Sequence, residues 1–395
     1  MSHLIVKLGE LAIGDLRRRS GDSWEFQFRP DYMDRYPRPV LGQFFEDDLQ
    51  RVHRSTLSLP PFFSNLLPEG PLRRLVARQA EVNEQREALL LGALGQDLPG
   101  AVVVERGDGE GSEPDDQPSV SSAEPSRGTR LKFSLAGVQL KFSVLKEADR
   151  LTLPATGQGG DWIVKLPDAQ YPEVPANEFS MLQWARESGI EVPDFELVQI
   201  PEIGGLPPDL GFRETTALAV RRYDRQPGGR VHQEDFAQVL GLYPWEKYDR
   251  FNHETIGNVV RAVAGPEAFL EYARRLAFVI LSGNGDAHHK NWSLLYPDGR
   301  RAVLAPAYDL VFTRAYIQND QLALNLKKSK SFSDVTLESF RHLARRAEVD
   351  EQTAADAVAE ASQRIREAWA RVAADSPLSE ETRKKLDRHL SSVRL

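Results

Sequence analysis

The chain has 395 residues, 41% hydrophobic and 27% charged, a composition that excludes collagen-like, wholly disordered and disulfide-scaffold proteins. A formal charge of −8 argues against autonomous binding to phosphate backbones. Cysteine is absent, which excludes thiolate nucleophiles and Cys-ligated metal sites and fits a reducing cytoplasm.

At roughly 150 residues per domain the length points to two or three folded units. The N-terminus MSHLIVKLGELAIGDLRRRS is too polar, at Lys7 and Glu10, for a signal-peptide core. No apolar run approaches the roughly 18 residues needed to cross a bilayer. The expectation is a soluble cytoplasmic protein with no membrane contact.

Residues 4–28 alternate apolar and polar side chains around turns and predict a small antiparallel sheet. PFFSNLLPEG at 61–70 leads into a run whose leucines and alanines recur at helical spacing. Residues 1–105 are therefore expected to form a small α+β unit. Residues 106–129 are rich in Gly, Ser, Pro and acid and read as a flexible linker; a regulatory segment with phosphorylatable serines is the alternative.

Residues 130–234 read as a strand-rich lobe. In LKFSLAGVQLKFSVL, the small-residue turn from Ser134 through Ala136, Gly137, Val138 and Gln139 offers consecutive N–H groups for an anion, or is an ordinary hairpin turn. DWIVKLP places Lys165 in an apolar strand, where an unpaired ammonium is costly. Glu178, early in the following helix, is the expected partner; a snorkelling Lys at a sheet edge is the alternative. VRRYDR closes the lobe, where the backbone of Arg222, Tyr223 and Asp224 would face an adenine ring.

Residues 235–395 read as a helical lobe, interrupted by a strand-like patch around 292–325. After the apolar helix ending LAFVILSG, Gly283 and Gly285 turn the chain and present Asp286 and Asn291 from a loop. D-x-x-x-x-N spacing suits phosphoryl transfer, with the Asp receiving a proton from the acceptor hydroxyl and the Asn holding magnesium. Asp309 in APAYDLVF, expected at the end of a short strand, adds a second carboxylate for that ion. Either Asp alone reads equally as a turn or capping residue. The adjacent His288 and His289 lack zinc-site spacing, and the basic stretch 325–333 reads as a hairpin with a charged tip.

FFSNLLPEG, SLAGVQLKFSV, WIVKLP with NEFSMLQWA, VRRYDR, QEDFAQVLG, NGDAHHKN and AYDL, in that order, resemble the HipA-type serine/threonine kinases. The resemblance implies a protein kinase-like two-lobed α+β fold: a strand-rich N-lobe with a small N-terminal subdomain, and an all-helical C-lobe. It implies ATP and Mg2+ as cofactors, Asp286 as catalytic base, Asn291 and Asp309 as metal ligands, and Lys165 as the ATP-phosphate lysine. His288, Glu178 and the 136–139 and 222–224 segments complete the expected cofactor site, and Ser134 matches a serine whose autophosphorylation switches the kinase off. Expected partners are a HipB-type DNA-binding antitoxin, through which alone DNA is contacted, and a translation-linked protein substrate such as an aminoacyl-tRNA synthetase. Two features stand apart from the family pattern: Arg221, where an acid is common, and the doubled His288–His289. A small-molecule kinase and a non-catalytic corepressor are the competing readings.

Overall fold

The computed structural model describes residues 2–19, 23–56, 58–107, 140–147, 150–152, 160–168, 170–206 and 212–395. Alternation at the N-terminus produces β1 (His3–Leu8), β2 (Leu11–Arg18) and β3 (Trp24–Phe28). With β4 (His53–Ser55) and β5 (Val102–Arg106) they form an antiparallel sheet ordered β4-β3-β2-β1-β5. Its inner face buries Leu4, Val6, Leu16 and Phe26 against Phe45, Phe62 and Phe63. Phe26 and Phe63 meet at 4.8 Å between ring centroids, and each such ring contributes about 2 kcal/mol by leaving water. The helical run expected after residue 70 is two helices, Gly70–Gln79 and Glu87–Leu94, separated where Glu81 takes φ 54°.

A second antiparallel sheet comprises β6 (Lys141–Glu147), β7 (Arg150–Thr152), β8 (Trp162–Lys165), β9 (Phe195–Gln199) and β10 (Thr216–Arg221), ordered β7-β6-β8-β10-β9. The Val174–Glu187 helix packs on β9 and β10, with Phe179 edge-on to Phe195, and is held equally by the helical half. Its Trp184 packs on Phe278 and Trp369 and donates to the Ile365 carbonyl at 2.7 Å. The helix carrying Glu178 is therefore part of the helical lobe's core.

β11 (Arg225–Gln226) and β12 (Gly229–Arg230) form a short hairpin between the lobes. The helical half contains His253–Ala264, Pro266–Leu281, Leu337–Arg346, Glu351–Val372 and Glu380–Ser392. Asn252 and Asp350 cap two of them by accepting from Thr255 N and Thr353 N. The lobe is not entirely helical, however. β13 (His232–Asp235), β14 (Ser293–Tyr296) and β15 (Val303–Leu304) form a three-stranded sheet within it. The run His232–Asp235 had been read with the strand-rich lobe, yet it pairs with β14 because Glu234 faces Leu294 and Tyr296 closes on its carboxylate. In the basic stretch, Leu326 and Ser329 exchange backbone hydrogen bonds around a two-residue tip, Lys327 and Lys328, both at positive φ.

Candidate active site

β8 delivers Lys165 to the cleft. Its side chain is buried, and Nζ donates to Glu178 Oε1 at 2.5 Å and to Asp309 Oδ1. Burial alone would lower the Lys165 pKa; the Asp309 and Glu178 carboxylates outweigh it and raise it. Two carboxylates share one ammonium, and they divide the charge unequally. Burial pushes the Glu178 carboxyl up, whereas Asp309, 31% exposed, is held well below the usual range by Lys165 despite its own desolvation. Lys141 was not singled out from sequence. It sits directly across from Lys165 in the β6–β8 register and lowers both carboxyls; the period-2 pattern of KFSV would have put the two lysines on one face.

The loop after the Pro266–Leu281 helix is fixed by its glycines. Gly283 adopts φ 65°, and a Cβ there would meet the His389 ring at 2.9 Å. A Cβ on Gly285 would strike the Asp320 carboxylate at 2.1 Å, so neither position admits a side chain without rearrangement. Asn284 Oδ1 accepts from Asp286 N at 3.0 Å, and the Asn284 amide donates to the Asp309 carbonyl at 3.5 Å, tying the two acidic segments together. Asn291 Nδ2 donates to the Asp286 carbonyl at 2.9 Å, which closes the loop on itself. Burial pushes the Asp286 carboxyl up, and the Tyr248 hydroxyl, donating to Oδ1 at 2.6 Å, works against it. Nothing in the sequence around Tyr248 signals this contact.

Asp309 does not end a strand. It lies in the irregular chain beyond β15, at φ 52°, a left-handed conformation that Asp tolerates better than most residues. Tyr308 beside it donates to the Lys290 carbonyl at 2.9 Å and pairs with Ser293, joining this segment to the loop. His288 is buried, with its ring edge-on to Tyr248 at 4.9 Å, and burial lowers its pKa to about 3, leaving it neutral. His232 and His253 are occupied separately, by the Leu41 carbonyl and the Tyr272 hydroxyl. Among the described residues no group of three or more His, Cys, Asp or Glu could hold a metal.

Magnesium takes hard oxygens and keeps waters, so one carboxylate and one amide suffice beside phosphates. Asp309 is ionised and partly open to solvent, and Asn291 uses its nitrogen toward Asp286, which leaves its oxygen for a cation. These residues fit the ion. Ser134, Ala136, Gly137, Val138 and Gln139 lie outside the described residues.

The segment 222–224, whose backbone is expected to face an adenine ring, is also a structural joint through its side chains. The Arg222 amide already donates to the Asp161 carbonyl at 2.8 Å, and the side chains of Arg222 and Asp224 are not free for a ligand. Arg222 and Arg225 both bind Asp224 and Asp97, and Asp224 also accepts from Gly100 N at 2.7 Å. This buried network clamps the N-terminal unit to the strand-rich lobe. Tyr223 turns toward Gln233 and the Tyr308 ring. Asp224→Asn is expected to lower the unfolding free energy by about 2 kcal/mol, less than a fully orphaned pair because Asp97 remains. The urea midpoint measures it; an unchanged midpoint would mean that the clamp carries no stability.

A family model described as the HipA-like C-terminal domain matches residues 133–369, and one described as the HipA N-terminal domain matches residues 4–105. Y4dM of Sinorhizobium fredii, a protein with a kinase designation, is 43% identical over 378 residues, 94% of this chain and 92% of its own. The serine/threonine-protein kinase toxin HipA of Shewanella oneidensis is 26% identical over 357 residues, 80% of this chain and 77% of that one. Among solved structures, the Shewanella oneidensis HipA, HipB and operator DNA complex matches with a TM-score of 0.74 at 21% identity, covering 98% of this chain and 95% of that chain. The two share a fold.

Proposed function

This chain belongs to the HipA family, and from that premise we propose that it is an ATP- and magnesium-dependent serine/threonine protein kinase, a growth-inhibiting toxin acting on a translation-linked protein. The observation that carries this reading is the buried Lys165 held between Glu178 and Asp309, with the Asp286–Asn291 loop tied to Asp309 through Asn284. When bound, magnesium–ATP supplies the transferable γ-phosphoryl group and the cationic charge that offsets its oxygens. Lys165 would hold the α and β phosphates, its ammonium fixed by Glu178. Asn291 and Asp309 would hold the metal. Asp286 would orient the acceptor hydroxyl and take its proton, and the neutral His288 packs edge-on against Tyr248, whose hydroxyl holds Asp286.

We extend the reading to regulation by analogy with the Shewanella assembly, in which HipA is found with HipB and operator DNA. A HipB-type antitoxin would restrain this protein in the cytoplasm and make any DNA contact, and Ser134 would receive a phosphate by autophosphorylation, whose charge would oppose the phosphates of ATP. No helix among the described residues is long and apolar enough to cross a membrane.

Calorimetric titration tests the core of the proposal. Magnesium–ATP should bind the wild type and bind Lys165→Met at least roughly tenfold more weakly, the loss expected for one hydrogen bond to a charged group. The same incubation, followed by mass spectrometry, should locate phosphate on Ser134. Absence of nucleotide binding to the wild type would remove the kinase reading and favour the non-catalytic corepressor.

A further inference from the structure

Glu69 occupies the N-cap of the Gly70–Gln79 helix, where an acidic side chain ordinarily satisfies that helix's own free amides. It makes no cap bond. Its carboxylate instead leaves the N-terminal unit and binds two lysines of the helical lobe, Lys247 at 2.9 Å and Lys290 at 2.7 Å. Both lysines are mostly covered, with side chains 22% and 15% exposed. Burial would raise the Glu69 carboxyl; Lys290 and Lys247 hold it down at about 2.

Each lysine is the chain neighbour of a residue that contacts the proposed base. Lys290 immediately precedes Asn291, and its Nζ also donates to the Asn65 carbonyl at 3.4 Å. Lys247 immediately precedes Tyr248, whose hydroxyl binds Asp286. The Lys247 carbonyl accepts from both the backbone N and Nδ1 of His289, at 3.2 and 2.7 Å. Glu69, Lys247, His289 and Lys290 therefore close a ring that joins the Tyr248 segment to the 286–291 loop. The other polar contacts between the N-terminal unit and the helical lobe, such as Asn65 to the Leu242 carbonyl, Gln238 to the Phe62 carbonyl and Gln43 N to Glu234, attach at residues away from that loop.

We propose that Glu69 is a positioning residue for phosphoryl transfer: from the N-terminal unit it fixes the segments that carry Tyr248 and Asn291, and so sets Asp286 against the acceptor. The inference rests on the kinase reading above, and its test separates the two. A group displaced by about an ångström from the reacting atoms costs up to roughly 100-fold in rate. In the full-length protein, Glu69→Gln is expected to lower kcat for transfer from ATP roughly 10- to 100-fold. The KM for ATP should rise much less than kcat falls, because Lys165, Glu178 and Asp309 are untouched and only Asn291 of the cofactor set lies on the loosened segment. Lys290→Met should behave alike, and the double variant should lose no more than the worse single one, since both remove the same link. Hydrogen exchange should quicken in 247–250 and 284–291 while Trp184 and its helix stay protected.

A wild type that transfers no phosphate refutes the kinase reading itself. An active wild type with an equally active Glu69→Gln overturns the positioning role, as do additive losses in the double variant. If Glu69→Gln is destabilised throughout, with exchange faster across the whole chain, the residue is an interdomain tie and the proposal fails.

Discussion

Asp286→Asn is expected to lower phosphoryl transfer roughly 1,000-fold or more while leaving magnesium–ATP binding within a few-fold of wild type. The amide keeps the shape of the carboxylate but cannot accept the acceptor's proton, which removes about 4 kcal/mol of transition-state stabilisation. The loop should hold its form, because Asp286 is fixed through its backbone: its amide binds Asn284, and its carbonyl receives Asn291 and His288. Single-turnover transfer from radiolabelled ATP gives the rate, and titration calorimetry gives the affinity. Asp309→Asn should show the reverse pattern, with binding weakened first, because that carboxylate pairs with Lys165 and is the proposed metal ligand. Full activity in Asp286→Asn would leave this site without its base and exclude the mechanism.

The parts of the site that could be read from sequence were those whose chemistry is costly unless paired. Lys165 in an apolar strand demanded a carboxylate, and Glu178 supplies it; the structure adds Asp309 as a second partner. Gly283 and Gly285 announced a turn that tolerates no side chain. What escaped were contacts between segments distant in sequence with no local signature. Tyr248 reaches Asp286 across 38 positions, and Glu69 reaches Lys290 across 221. The network joining Arg222, Asp224 and Arg225 to Asp97 escaped for the same reason: the sequence places the segment at the hinge, but Asp97 lies 125 positions before Arg222, in the N-terminal unit. The fold class was legible because strand alternation and helix periodicity are local. The β13–β14–β15 sheet was legible only in part: the strand-like patch at 292–325 contains β14 and β15, whereas β13, four residues long, straddles the boundary expected between the lobes at 234 and pairs with a strand far along the chain, Glu234 opposite Leu294.

The rooting of the Glu178 helix in the helical lobe has a dynamic consequence. A lysine–glutamate pair whose helix floats with the strand lobe can be broken by helix rotation; here Trp184 anchors that helix between Phe278 and Trp369, so the pair stays assembled. Control then falls on the loops that reach Asp286 and Asp309, and the N-terminal unit, which grips both lobes, is the element placed to exercise it.

Acidification should unfold the protein well before its exposed carboxylates titrate. His53, His232 and His389 have their pKa values lowered by burial to about 4, and His253 and His288 to about 3. His53 Nε2, His232 Nδ1 and His253 Nε2 have no hydrogen-bond partner, so the folded state offers nothing to a second proton. Because the folded values lie below the unfolded value near 6.5, the unfolded chain binds more protons, and stability present above pH 6.5 is lost as the pH falls toward 4. Glu234 opposes this. Its burial raises it to about 8, so it takes up a proton in the folded state first and gains stability on acidification; Glu178, Asp235 and Asp286 are shifted the same way. Five histidines against Glu234, Glu178, Asp235 and Asp286 are expected to leave a net loss of stability between pH 7 and pH 5, because the unfolded imidazoles take up protons across that range and the folded ones do not. Urea midpoints taken at pH 7, 6 and 5 should fall steadily, and His253→Phe, which removes one titrating ring from the core, should flatten the slope. A midpoint that stays level or rises on acidification would show that the buried carboxyls, not the histidines, govern the pH response.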